Sequence, residues 1–202
     1  PKRLEAFHVA LKSDVTNRAA SVKKEIAFIE KKSDLVNTLL ELNKKGQIPY
    51  RITHNDTKLN NVMIDEKTSQ GICVIDLDTV MPGFALYDFG DMVRTATSPA
   101  PEDERDLSKV TMRLPIFQAL VRGYLSSAGE FLTPTEKSHL VFSGKLMTFE
   151  LVLRFLMDHL QGDTYFKIHR ENHNLDRCRT QVKLINSIEE QENEMQKIVE
   201  SI

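Results

Sequence analysis

Tryptophan is absent from the 202 residues, glycine occurs eight times and cysteine twice. No two glycines stand one residue apart, which excludes a glycine-lined loop of the kind that covers a nucleotide. An excess of basic charge is lacking too: the formal net charge is −2, whereas a nucleic-acid binder that works through phosphate contacts needs a basic stripe. No apolar run approaches the roughly 20 residues that span a bilayer, and no cationic start leads into an apolar segment. Neither a nucleic acid nor a membrane is therefore expected as a partner. Cys73 and Cys178 fall in apolar surroundings, on an expected strand and an expected helix face. That predicts two buried thiols rather than a disulfide and fits a reducing cytoplasm. Internal repeats and low-complexity linkers are missing as well. What is present, 202 residues of 41% hydrophobic composition, suits one compact domain with a substantial core.

Helical periodicity dominates the chain. Apolar residues recur at three- and four-residue steps through Leu4–Leu11 and Arg18–Lys45, with Val22, Ile26, Ile29, Leu35, Leu39 and Leu42 in phase and a break near Ser33-Asp34. Gly46 and Pro49 should end that region. Further helices are expected over Tyr87–Thr97, over Leu107–Ser127 with Pro115 interrupting or restarting it, and from Thr133 to about Leu160. Thr133-Pro-Thr-Glu136 has the form of a capping box with proline at the first helical position. A last helix places Leu175, Cys178, Val182, Ile185 and Ile188 on its core face, continued by Met195, Ile198 and Ile202. Met81-Pro-Gly83 reads as a loop, and the acidic stretch 98–106 as a solvated connection. Strands are expected at Tyr50–Thr53, Val62–Ile64 and Ile72–Ile75, the last two forming a hairpin around the turn Glu66–Gly71. The fold class is thus α+β, mostly α, with a small β-hairpin.

Oxygen-bearing side chains bracket that hairpin. His54-Asn-Asp-Thr-Lys-Leu-Asn-Asn61 precedes it, and Asp76-Leu-Asp78 closes its second strand. Kinase-type phosphoryl transfer uses a carboxylate that takes a hydroxyl proton, an amide and a carboxylate that hold Mg²⁺, and a lysine near the transferred phosphate. Asp56, Asn61, Asp76 and Lys58 supply those types in that order of roles. Mg²⁺ prefers oxygen ligands and keeps several waters, so it asks no more of the protein. Strand alternation would set Asp76 and Asp78 on one face, making Asp78 either a second metal ligand or a hydrogen-bonded support. His54 reads as a prop for the loop, because Asp56 already fills the role of base.

His-x-Asp-x-x-x-x-Asn followed by a strand aspartate resembles the catalytic and metal loops of the aminoglycoside phosphotransferase and choline kinase superfamily, small-molecule kinases of protein-kinase-like fold. His54–Asn61, Val74–Gly83, Tyr87–Arg94 and a tail comprising Gly162–His169 and His173–Gln181 are similar to its N-acetylhexosamine 1-kinase branch. The resemblance spans almost the whole chain. It implies a protein-kinase-like C-terminal lobe, ATP as co-substrate with Mg²⁺, and a small-molecule sugar or other alcohol as acceptor. The anomeric hydroxyl of an N-acetylhexosamine is the acceptor expected first. It also implies a smaller N-terminal lobe with a strand lysine and a glycine-lined loop. Neither occurs here, so residues 1–202 are expected to be the C-terminal lobe of a longer enzyme, with little kinase activity alone.

By the same resemblance Asp88 ties down the catalytic loop from below, and this lobe contributes sugar contacts from Arg154, Asp163 and Tyr165. Arg154 interrupts the apolar face of Leu151, Leu153 and Phe155; a pair with Glu150 or Asp158 within its own helix is the competing reading. Choline, homoserine and aminoglycosides are the other acceptors. An acidic groove would favour the cationic ones, and a neutral, hydrogen-bonding groove a sugar. Two readings from other classes stand beside the kinase: a non-catalytic binding module, and a metal-dependent hydrolase built on Asp56, Asp76 and Asp78. His169-Arg-Glu-Asn-His173 lacks the glutamate position of a zinc signature.

Overall fold

The computed structural model describes residues 1–202. Helix α7 (Leu140–Leu160) organises it. Apolar residues run around this helix rather than along one stripe, so it can be stable only when covered on all sides; Phe149, Val152, Leu156 and Leu160 are fully buried. Against its first half pack α4 (Ala85–Ala96), the end of α8 (His173–Glu190) and α9 (Glu192–Glu200), with α5 (Leu114–Ala128) laid on α4 and α9, around Phe89, Phe117, Val121, Leu184 and Ile188. Against its second half pack α1 (Lys2–Ser13), α2 (Lys23–Lys31) and the start of α8, around Phe7, Ile29, Phe155 and Cys178. Helix α3 (Thr38–Lys44) joins the first of these cores through Leu39. No helix is long and apolar enough to cross a membrane.

Helices α4 and α7 approach so closely because each presents a glycine. A Cβ at Gly90 would overlap the Ser143 carbonyl, and one at Gly144 would lie 2.8 Å from Val93 Cγ1. Helix α3 ends as its sequence requires: Gly46, at φ +70°, and Gln47 return their amides to the carbonyls of Asn43 and Leu42. The capping box at Thr133 forms, with the Thr133 amide 2.7 Å from Glu136 Oε2 and the Glu136 amide 3.1 Å from Thr133 Oγ1. The helix it opens stops early, however: α6 (Pro134–Ser138) and α7 are separate at His139. The His139 ring sits 2.8 Å from the Thr135 carbonyl that an α-helix would give to the His139 amide, and that amide turns to Glu136 instead.

Two antiparallel ribbons carry the β structure. Strand β1 (Arg51–Thr53) pairs with β4 (Met81–Gly83) in the register Arg51↔Gly83, and β2 (Val62–Ile64) pairs with β3 (Gly71–Val74) in the register Val62↔Val74. Met81-Pro-Gly83 is therefore a strand, not a loop; Pro82 is tolerated because a two-stranded ribbon has only edges. The hairpin does not emerge from a core. All of β3 is exposed, Ile72 and Val74 by 62% and 52%, because nothing packs on either face. Cys73, expected to be buried, is exposed with it, while Cys178 is buried and both thiols are free. The connection 98–106 is also more than solvated surface: Asp103 pairs with Arg170 and His173, and Glu102 with Arg94.

Candidate active site

Strand β1 feeds a loop that is fastened on three sides. From the first turn of α4, Asp88 accepts the amides of His54 at 2.8 Å and Asn55 at 2.7 Å, one on each carboxylate oxygen. The Thr57 hydroxyl donates to the Asp88 carbonyl at 2.7 Å. Asn55 takes φ 63°, a left-handed conformation that asparagine tolerates, and its side-chain NH₂ reaches the Thr53 and Thr79 carbonyls. Returning the clasp, Thr79 Oγ1 donates to the His54 carbonyl at 2.6 Å, and His54 Nε2 lies 3.0 Å from the Ile75 carbonyl. The two backbone segments that bracket the hairpin are thus bound to each other and to α4. Burial pushes the Asp88 carboxyl above its usual range, against the pull of its two amide bonds.

Asp56 stands at the tip of this loop. Its Oδ2 receives Lys58 Nζ at 2.6 Å and Asn61 Nδ2 at 3.0 Å. Burial alone would raise this carboxyl, but the hydrogen bonds from Lys58 and Asn61 outweigh it and hold Asp56 below the ordinary carboxylate range. The bond to Asp56 in turn raises Lys58, which stays charged. Asp76 closes the group, its Oδ2 3.8 Å from Lys58 Nζ.

The second strand ends at Val74, and Asp76, at φ 62°, opens a 3₁₀ turn over Leu77–Thr79. Strand alternation consequently does not relate Asp76 to Asp78, which lies exposed on the turn. The oxygen donors nonetheless suit Mg²⁺. Asn61 turns its NH₂ to the Asp56 carbonyl and carboxylate, which leaves its own carbonyl oxygen without a protein donor, and the Asp76 carboxylate meets only Lys58. No three His, Cys, Asp or Glu side chains group as metal ligands, Asp56, Asp76 and Asp78 included. Asn61 and Asp76, with waters and phosphate oxygens, make the set an Mg²⁺ ion accepts.

A cleft of about 1250 Å³ joins this loop to the middle of α7, bringing Asp56 and Lys58 together with Arg154 and Tyr165. Arg154 Nη2 lies 3.3 Å from the Tyr165 hydroxyl, and the guanidinium carbon sits 5.1 Å from the centroid of the Phe166 ring. Of the two helix partners considered for Arg154, Glu150 is the nearer match at 3.8 Å. Asp158 is engaged elsewhere: it accepts the amides of Thr164, Tyr165 and Phe166 and so shapes the turn that presents Tyr165. Burial pushes the Glu150 carboxyl up despite Arg154 and Arg3 beside it. Asp163 is not in the cleft. Its carboxylate is buried against Arg18 Nη1 at 2.6 Å and Asn174 Nδ2 at 2.9 Å, where it ties the end of α7 to α8.

Asn55, Thr57 and Thr79 in the clasp carried no assignment from the sequence, and Asp91, Arg94 and Glu150 none as lining of a cleft. One signal was available. Asp88, Asp91 and Arg94 recur at three-residue steps, so the helix that sends Asp88 to the loop turns the others toward the same side.

With this geometry in place, a family model described as the phosphotransferase enzyme family, APH, matches residues 3–111. The match takes in Asp56, Lys58, Asn61, Asp76 and Asp88 and stops before α7, so Arg154 and Tyr165 lie outside it.

Proposed function

The chain belongs to the phosphotransferase enzyme family, and on that premise we propose that it serves the ATP- and Mg²⁺-dependent phosphorylation of a sugar, at the anomeric hydroxyl of an N-acetylhexosamine. The observation that carries the acceptor is the charge balance of the cleft. Five cationic side chains and five carboxylates line it, Lys58, Arg94 and Arg154 against Asp56, Asp91 and Glu150 among them. A cationic acceptor such as choline or an aminoglycoside would call for a surplus of carboxylates, whereas a neutral polyol presents donors and acceptors together. Tyr165 and Phe166 add an aromatic wall on the Arg154 side.

In this reading Asp56 aims the acceptor hydroxyl and takes its proton as that oxygen bonds to the transferred phosphorus and ADP departs. Asp56 is already ionised, so the proton has somewhere to go throughout the neutral range. Lys58 exchanges its bond to Asp56 for the phosphoryl oxygens, which frees Oδ2 for the hydroxyl and offsets charge on the phosphate. Asn61 and Asp76 would hold Mg²⁺, which when bound supplies neutralising charge to the phosphate oxygens. Asp78 is left outside that set, and His54 and Asp88 keep the loop in shape. The β2–β3 ribbon, with Met63, Ile72 and Val74 exposed beside the metal-binding end, is the seat of the nucleotide lobe in the same reading.

Coupled ADP release by the full-length protein, tested on N-acetylhexosamines, choline, homoserine and aminoglycosides, decides among these acceptors. Turnover on the N-acetylhexosamines supports the proposal. Turnover confined to cationic alcohols would keep the reaction and remove the sugar, and turnover on nothing would leave the binding module.

A further inference from the structure

Three buried side-chain polar atoms lack a hydrogen-bond partner, and only one of them, Asp91 Oδ2, belongs to a residue that lines the cleft. Asp91 is 5% exposed, on the side of α4 that also sends Asp88 to the catalytic loop. Its Oδ1 is taken: Arg94 reaches it with Nε at 2.9 Å and Nη2 at 2.8 Å, and holds Glu102 with Nη1 at 2.7 Å. Such an arrangement fixes the carboxylate and leaves one oxygen free in a nearly dry place. A buried carboxylate oxygen without a donor is costly, and the protein supplies none.

The chemistry of the missing partner follows from the neighbours. A phosphate would meet a like charge. A cation would have to compete with Arg94, which already holds this carboxylate through Nε and Nη2. A neutral donor loses nothing to either and gains a charge-assisted hydrogen bond in low dielectric. We propose that Asp91 determines acceptor specificity, its Oδ2 accepting a hydrogen bond from a hydroxyl of the acceptor other than the one phosphorylated. This rests on the reading of the cleft as the acceptor site of a phosphotransferase, and it deepens that reading from one reacting hydroxyl to a second, recognised one. A site with such an acceptor rejects an analogue that lacks the matching hydroxyl, because the carboxylate is then buried unpaired.

The test uses the full-length protein, the alcohol it phosphorylates, and analogues of that alcohol each lacking one non-reacting hydroxyl. In the wild type, one analogue should lose about 10- to 100-fold in kcat/KM, chiefly through KM. Asp91→Asn should abolish that discrimination, making the alcohol and this analogue nearly equal substrates, while ratios for the other analogues stay as in the wild type. A uniform loss across all substrates would mean a structural carboxylate and would overturn the proposal. Should the variant fail to fold, a crystal structure of the wild type with the acceptor decides: Oδ2 within about 3.2 Å of a non-reacting hydroxyl supports it, and Oδ2 bonded only to water or protein overturns it. If the accepted alcohol is an aminoglycoside, the N-acetylhexosamine reading falls, yet the same comparison on its deoxy analogues still decides Asp91.

Discussion

Asp56 is held as a carboxylate by two neighbours within five residues of it, and its pH behaviour follows from them. Burial alone would favour the protonated form; Lys58 and Asn61 favour the charged one and win. A depressed pKa means the base form is present above the ordinary carboxylate range and is lost only as pH falls below it. With a neutral acceptor, kcat/KM should accordingly show no acidic limb from this group between about pH 5 and 8. Lys58→Met removes the largest opposing bond and leaves burial opposed only by Asn61 and His54, so in that variant the acidic limb should move up in pH; an unmoved limb would separate Lys58 from the base. The thiols give a second check. Cys73 is exposed, and burial pushes the Cys178 thiol well up. A thiol reagent should modify one cysteine at once and the other only on unfolding; two fast thiols would contradict the placement of Cys178. The grouping of side chains was legible where geometry is local, as at Asp56, Lys58 and Asn61. Asp163 was misplaced because the group that claims it, Arg18, lies 145 positions away. No local pattern announces such a partner.

Among the elements, the junction of α4 and α7 positions the clasp around the loop. Gly90→Ala would push a methyl into the Ser143 carbonyl and the Met147 side chain. The expected cost is about 1–3 kcal/mol, read as a melting temperature lower by several degrees; an unchanged value would mean the helices can part freely. Strand β1 is pinned by Arg51, whose Nε and Nη2 lie 2.9 and 2.8 Å from the two Glu136 oxygens. Burial pushes the Glu136 carboxyl up, but the bonds from Arg51 and Thr133 bring it below its usual range. Its stabilisation is therefore complete above the ordinary carboxylate range and fades as pH falls through the folded-state value. Glu136→Gln should cost about 3 kcal/mol at neutral pH, and its melting-temperature deficit should narrow in acid; a deficit independent of pH would contradict the ion pair. Caps and turn glycines were readable here, since Thr133-Pro-Thr-Glu136 and Gly46 act through atoms a few residues away. The break at His139 and the strand at Met81–Gly83 were not, because one depends on a ring competing for a carbonyl and the other on pairing with β1 across the hairpin.

For the molecule as a whole, two cores meet on one helix and leave a cleft between a clasped loop and the α7 wall. Helical periodicity made the cores foreseeable. Exposure of the β2–β3 ribbon was not foreseeable, because an apolar strand reads the same whether or not a second layer covers it. Dye binding to that ribbon should be strong in residues 1–202 and weak once a nucleotide lobe is joined to them; equal binding would leave the ribbon without the proposed cover. The central claim, that the clasped loop is a phosphotransfer site with Asp56 as its base, is tested most directly by kcat of Asp56→Asn in the full-length protein, with folding checked by melting temperature. Loss of about 10²- to 10⁴-fold at an unchanged melting temperature is expected, and turnover within a few-fold of the wild type would contradict it.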